Sequence, residues 1–224
     1  MAKHKLQRFA EIETFDNVIQ PRMSFPITDH ALKGKWGPDF FRNDKPIVLE
    51  LGCGRGEYTV NLAEKYPDKN FVGVDIKGAR LWRGAKTAID NKMTNVGFLR
   101  LQIDKIDYFF GPDEVSEIWI TFPDPQPQVS RIRKRLTSPN LLEHYKKILI
   151  PNGLIHLKTD NAALFSYTEF VMKQLHCTVH QCTHDLYQSA ILTDVLSIKT
   201  TYEQMYLKIG VPINYLNFSL PVEA

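Results

Sequence analysis

Ile47-Val48-Leu49-Glu50-Leu51-Gly52-Cys53-Gly54-Arg55-Gly56-Glu57 decides the fold of this chain. Ile47 to Leu51 is an apolar, β-branched run interrupted only by Glu50, and reads as a strand buried on both faces. It stops at Gly52. Beyond Gly56, apolar residues return at helical spacing, with Tyr58, Leu62 and Ala63 on one side. A strand, a glycine turn and a helix form the opening unit of a doubly wound α/β fold. The glycines let the backbone approach a ligand with no Cβ in the way, and the helix start offers unpaired N–H groups. Dinucleotide-binding turns run G-x-G-x-x-G, whereas the glycines here are Gly52, Gly54 and Gly56. Glu50 at the strand end would also repel a pyrophosphate. A cationic ligand without phosphate tolerates that carboxylate.

Composition narrows the class. The chain has 224 residues, 43% hydrophobic and 24% charged, enough for one domain with a substantial core. Net charge is only +3, so where the charge clusters matters more than its total. Three cysteines without regular spacing argue against a disulfide framework and fit a reducing cytoplasm. Met1 to Gln20 lacks an apolar core of signal-peptide length and no run approaches a membrane span, so a cytoplasmic protein with no membrane partner is expected.

Residues 1–33 read as an N-terminal arm and irregular lead-in, and 34–224 as the domain proper. Lys3, Lys5 and Arg8 accompany Phe9, Ile12, Phe15 and Val18 at roughly helical spacing, which suits a short packed helix or a basic arm touching a polyanion. Pro21 to Pro46 is rich in Gly and Pro and reads as irregular across that boundary, yet its Trp36, Phe40 and Phe41 must bury somewhere. Asn70 to Asp75 reads as a second strand ending in an acid, and Asp75 lies 19 residues past Gly56. A carboxylate about 20 residues past such a turn binds ribose hydroxyls. A helix over 79–91 and a third strand over 96–100 lead to Asp104, which could cap the turn toward Phe110.

Val115 to Thr121 is a fourth strand running into Phe122-Pro123-Asp124-Pro125-Gln126-Pro127-Gln128. Ligands bind beyond the carboxyl ends of strands in such sheets, and prolines on both sides of Asp124 stiffen its setting. Arg131, Arg133, Lys134 and Arg135 follow within five residues. A solvated loop is the ordinary meaning of such a run. Beside an exposed carboxylate in a nearly neutral chain, it favours a nucleic acid held by its phosphates. Ser138 and Pro139 start a helix, and Leu154 to Asp160 forms a fifth strand with Asp160 at its carboxyl end. His180, Cys182 and His184 would share one strand face but have no standard zinc spacing, so no metal is expected. Thr200-Thr201-Tyr202-Glu203 precedes an expected final strand over 204–209.

Taken together, these segments resemble the bacterial tRNA (guanine-N7-)-methyltransferases over roughly residues 34–210. The carriers are the glycine motif, the F-P-D-P loop with its basic R-L-T-S continuation, Leu157-Lys158-Thr159-Asp160, and Thr200-x-Tyr202-Glu203. The resemblance implies a Rossmann-like class I methyltransferase fold: a seven-stranded, mostly parallel sheet with helices on both faces and an antiparallel last strand. It implies S-adenosyl-L-methionine as cofactor, tRNA as partner, and methyl transfer to guanine N7 in the variable loop. On it, Glu50, Asp75, Asp104 and Asp124 match cofactor contacts alongside Gly52, Gly54 and Gly56, with Asp104 toward the adenine. Asp124 also matches the catalytic position. Asp160, Thr200, Thr201, Tyr202 and Glu203 match guanine-binding positions. The family commonly has a tryptophan after P-D-P, a lysine two residues on and a later histidine. This chain has Gln126, Gln128 and Ile132 there. Arg131, Arg133, Lys134 and Arg135 then become the candidate phosphate ligands, with Gln128 in the lysine's place.

Guanine N7 is an acceptor carrying no hydrogen, so its attack on a sulfonium methyl needs no general base. The site has to align the reactants and offset the cationic purine, which Asp124 and Asp160 suit, with Glu203 as a supplementary anchor. Two rivals share the fold: a methyltransferase for another RNA or DNA base, and a non-catalytic RNA-binding domain. N6-adenine enzymes order their loop as acid or amide, two prolines, then an aromatic, unlike Phe122-Pro123-Asp124-Pro125. A nicotinamide-dependent oxidoreductase fits worst, given the glycine spacing. Monomer and homodimer both remain open.

Overall fold

The computed structural model describes residues 2–22 and 25–221, a single eight-stranded sheet with helices on both faces. Helix α1 (Ala2–Ile12) and the two-residue strand β1 (Val18–Ile19) precede the first core strand, β2 (Ile47–Leu51). There follow α2 (Glu57–Lys65), β3 (Asn70–Asp75), α3 (Gly78–Asp90), β4 (Val96–Arg100) and β5 (Val115–Thr121). The second half contains α4 (Pro139–Lys146), β6 (Leu149–Thr159), α5 (Ala162–Gln174), β7 (Thr178–Thr183), α6 (Thr201–Lys208) and β8 (Asn214–Ser219). The strand order is β1-β4-β3-β2-β5-β6-β8-β7. All pairings are parallel up to β6, and β8 runs antiparallel to both its neighbours.

The order reverses at β2, where the chain steps outward through β3 and β4 before crossing back to β5. Ligands bind at that switch point, beyond the carboxyl ends of the strands. Every residue of β2 is buried, as a strand covered on both faces demands. One core cluster lies under α4, α5 and the π-helical turn Trp36–Phe41. The other lies under α1, α2 and α3. Trp36 is fully buried, its indole N–H donating to the Phe109 carbonyl at 2.8 Å.

The structure differs from the sequence reading in three places. The sheet has eight strands, because Val18 and Ile19 pair with Phe98 and Leu99 at the edge beside β4. The helical spacing read from Phe9 to Val18 is therefore cut short at Ile12, although Ile12 and Val18 are buried as expected. Third, the expected strand over 204–209 is helix α6, and the last strand is Asn214–Ser219. Thr200 caps α6 by accepting from the Glu203 amide at 3.1 Å, while the Glu203 carboxylate accepts from the Thr200 amide. This reciprocal capping box commits the segment to helix. Of the basic N-terminal residues, the side chains of Lys3 and Lys5 lie outside the described residues. Helix α1 itself is fastened to α3, with the Arg8 guanidinium 4.7 Å over the Trp82 ring and the Trp82 N–H donating to Glu11 at 2.8 Å.

Candidate functional site

The glycine turn is folded over the end of β3. The Gly52 and Cys53 amides donate to the Val74 carbonyl at 2.8 and 3.1 Å, and the Gly54 amide donates to Asp75 Oδ2 at 3.0 Å. Gly52, Gly54 and Gly56 all take left-handed backbone, with φ of 76°, 56° and 68°, which glycine alone adopts without cost. Asp75 uses its other oxygen to accept from the Lys77 amide at 2.7 Å. One carboxylate therefore fixes both the glycine turn and the start of α3.

Glu50 is the buried charge of the site, 3% exposed. Its Oε2 accepts from the Thr59 amide at 2.8 Å and from the Thr59 hydroxyl, so it satisfies donors in the first turn of α2. Its Oε1 accepts from the Thr121 hydroxyl at 2.5 Å, reaching across to the end of β5. Burial pushes the Glu50 carboxyl up to about 7, against the opposing pull of the Thr121 and Thr59 hydrogen bonds. A cation entering the cleft would favour the ionised form.

Helix α6 straps across the strand ends and is held at three points. At its start, the Thr201 amide and hydroxyl both donate to Glu57, each at 2.7 Å, bridging to the first residue of α2. One turn on, Glu203 meets Lys158 of β6 at 2.7 Å, both side chains fully buried. Tyr187 donates to the same Glu203 oxygen at 2.8 Å. The Lys158 ammonium spends its other donors on the Leu196 and Ile198 carbonyls at 2.9 and 3.1 Å, so the buried charges are fully partnered. Burial lowers the Lys158 ammonium from its ordinary value, against the raising effect of Glu203. At the third point, the Asp160 carboxylate faces Tyr206 and its charge raises the phenol. The Tyr206 ring also faces Phe122, with centroids 6.4 Å apart and planes 13° from parallel.

The loop after β5 is built with equal care. Phe122 and Gln126 both have positive φ, 49° and 43°, and the Asp124 carboxylate accepts from the Gln126 amide at 3.0 Å. Asp124 itself is exposed. The Arg135 guanidinium grips the loop from behind, donating to the Pro125 carbonyl at 3.2 Å and the Gln126 carbonyl at 3.3 Å, and lies 4.3 Å over the Tyr167 ring.

Glu50, Gly52, Gly54, Thr200, Thr201 and Tyr202 line one cleft. Asp75, Asp124 and Asp160 stand at the carboxyl ends of β3, β5 and β6, or just past them. Asp104 does not cap its turn; it is half-exposed and 3.4 Å from Lys105. Gln128, Arg131, Arg133 and Lys134 are exposed on the 3-10 turn Val129–Lys134 and its cap. Two expectations are corrected. Glu203 is covered by Lys158 and Tyr187, so its carboxylate presents no face to a base. Arg135 is turned inward on the loop carbonyls and is not an outward phosphate ligand. Ser138 caps α4 by position, but its hydroxyl donates to the Arg133 carbonyl at 3.0 Å. The sequence reading passed over Glu57, Thr121, Phe122 and Tyr206. Glu57, directly after the last glycine, had a positional signal, while Tyr206 depended on α6 being a helix. No group of metal-ligating side chains occurs among the described residues.

Residues 44–216 match a family described as "Putative methyltransferase". The chain is 52% identical over 225 residues to a tRNA (guanine-N(7)-)-methyltransferase of Christiangramia forsetii, covering 98% of this chain and 99% of that one. It is 50% identical over 224 residues to the enzyme of the same name from Bacteroides fragilis, covering 100% and 88%. Among solved structures it resembles the 16S rRNA methyltransferase KamB, with a TM-score of 0.60 at 14% identity over 80% of this chain and 89% of that one. The geranyl diphosphate C-methyltransferase of Streptomyces coelicolor, solved with S-adenosyl-L-homocysteine, gives a TM-score of 0.52 at 14% identity, covering 84% and 74%. At that identity the structural likeness speaks for the fold alone.

Proposed function

The chain belongs to the bacterial tRNA (guanine-N7-)-methyltransferase family, and from that premise we propose that it transfers the methyl group of S-adenosylmethionine to N7 of a guanine in the variable loop of tRNA. The observation that carries this reading is the single cleft where Glu50 and the glycine turn meet Thr200, Thr201 and Tyr202. In the sequence these belong to separate motifs, one for the cofactor and one for the base.

The residues fit an S-adenosylmethionine. Gly52 and Gly54 carry no Cβ where backbone must approach it, Glu50 offers buried negative charge to a sulfonium ligand, and Asp75 stands where ribose hydroxyls are bound. Asp104 serves the adenine. When bound, the cofactor supplies an electrophilic methyl group.

Asp124 and Asp160 receive the guanine. Between them they accept the hydrogen bonds of its N1–H and N2–H₂ edge, and both offset the positive charge that develops on the ring. Neither has to remove a proton, because N7 carries none. Tyr206 stands beside Asp160, and Arg135 steadies the loop bearing Asp124. Glu203 acts through Lys158, holding α6 in place. Gln128, Arg131, Arg133 and Lys134 take phosphates. A guanine stacked in the tRNA has to leave its stack for N7 to meet the methyl in line.

The test is methyl transfer from labelled S-adenosylmethionine to unmodified tRNA transcripts, followed by nucleoside analysis. The expected product is N7-methylguanosine, lost when the variable-loop guanine is replaced. Label in another nucleoside would overturn the substrate, and cofactor binding without transfer to any RNA would leave a binding domain.

A further inference from the structure

We propose that the outward face of α3, with Arg55 beside it, is a second RNA-backbone contact, so that the tRNA straddles the cleft between this face and the basic turn Val129–Lys134. This rests on the tRNA reading above and adds to it where the RNA lies.

Residues 76–89 contain Lys77, Arg80, Arg83 and Lys86 and no acid at all. The stretch from Pro125 to Leu142, which carries the first basic cluster, is likewise free of acids. Arg55, Lys77, Arg80 and Arg83 are exposed, and none has an ion-pair partner among the described residues. The end of the same helix behaves differently: Lys86 is paired with Asp90 at 3.2 Å. Unpaired cations in an acid-free stretch raise the local positive potential, in a chain whose net charge is only +3.

The packing brings these cations to the cleft. Gly84 lets α3 press directly on the glycine turn. A Cβ there would lie 2.8 Å from the Arg55 carbonyl oxygen and 3.0 Å from Gly56 Cα. The turn of α3 carrying Arg80 and Arg83 therefore rests against the backbone of Arg55. Arg55 and Arg80 both line the cleft that holds Glu50 and Tyr202. Arg80 and Arg83, three residues apart on the helix, share a face leading away from it.

The two basic banks flank the switch point. Helix α3 follows β3 and the other cluster follows β5, with β2 between them. Neighbouring strands lie about 4.8 Å apart, so the banks are separated at their base by about 10 Å. A backbone gripped on both sides of the cleft leaves the intervening nucleotide as the one free to turn inward.

The experiment compares wild type with the Lys77→Gln/Arg83→Gln double variant, two exposed cations of this bank that do not line the cleft. Binding to an unmodified tRNA transcript is measured across a salt series, and S-adenosylmethionine affinity by calorimetry. Each phosphate contact contributes about 0.7–0.9 to the slope of log affinity against log salt. The double variant should lower that slope by about 1.4–1.8 and leave cofactor affinity unchanged. Lys173→Gln on α5, on the other face of the sheet, should leave the slope as in wild type. A steep wild-type slope that the double variant does not reduce, or a loss confined to cofactor affinity, overturns the α3 contact while sparing the substrate reading. A wild-type protein that binds the transcript without salt dependence overturns the α3 contact, and one that does not bind it at any salt overturns both.

Discussion

Glu50 pits the stability of the protein against its proposed function, and that opposition can be measured. Its carboxyl titrates at about 7 in the folded chain against an ordinary 4.5, because burial disfavours the charged form. The folded state therefore holds a proton that the unfolded state releases between those values. The advantage of the protonated form is fully present below pH 4.5 and is lost as pH rises through 7. At pH 8 ionisation costs about 3 kcal/mol, and at pH 5 only about 1 kcal/mol. Glu50→Gln mimics the protonated carboxyl. Its carbonyl oxygen can accept from the Thr59 amide and hydroxyl, and its NH₂ can donate to the Thr121 hydroxyl oxygen. The variant should therefore unfold at a higher temperature than wild type at pH 8, without cofactor. That gap should narrow by about 2.5 kcal/mol, or roughly 5–10 °C, at pH 5. Comparing the two pH values cancels any difference in packing between Gln and neutral Glu. Calorimetric affinity for S-adenosylmethionine should fall in the same variant. A gap that does not change between pH 5 and pH 8 would refute the reasoning.

Three further outcomes are expected. Asp124→Ala should lower methyl-transfer turnover by about 10²–10³, the scale for one positioned electrostatic group, and turnover within a few-fold of wild type would remove Asp124 from the chemistry. Glu203→Gln, which leaves the Lys158 ammonium buried without its counter-charge, should cost about 3–5 kcal/mol in denaturant unfolding. The double variant Glu203→Gln/Lys158→Met should recover part of that loss, and a purely additive double would show that the pair is not coupled. Arg135→Lys keeps the charge but loses the fork that holds the Pro125 and Gln126 carbonyls. It should lower kcat by about ten- to a hundredfold, the worth of a charged hydrogen bond, with an unchanged salt slope for tRNA binding. A reduced slope would return Arg135 to the phosphates.

The sheet was legible because its signals are local. Leu49 and its neighbours announce a strand, Gly52 to Gly56 a turn, and Asp75 a strand end at the expected distance. The strap was harder to see. Thr200 and Glu203 already spell a capping box, three residues apart before a helix. That local meaning was masked because the same residues match a substrate motif. The burial of Glu203 had no local signal: it depends on Lys158 and Tyr187, both distant in sequence, and on how 196–198 folds onto the Lys158 ammonium. Arg135 illustrates the same limit. A run of four cations shows that charge is gathered, but which of them turns inward depends on carbonyls ten residues away that only the folded loop presents.

The placement of β8 has a consequence for the order in which the molecule can assemble. It lies between β6 and β7, with Tyr215 opposite Lys158 and Asn214 opposite Thr159. A chain extended only through Gly210 already holds every candidate site residue. It still lacks the strand that covers the site-bearing end of β6 and joins β7 to the sheet. Until β8 inserts, β6 exposes an apolar edge and β7 has no neighbour, a state open to mispairing and aggregation. Closure of this sheet is thus a long-range step, and it joins the site-bearing strand β6 to the last segment of the fold.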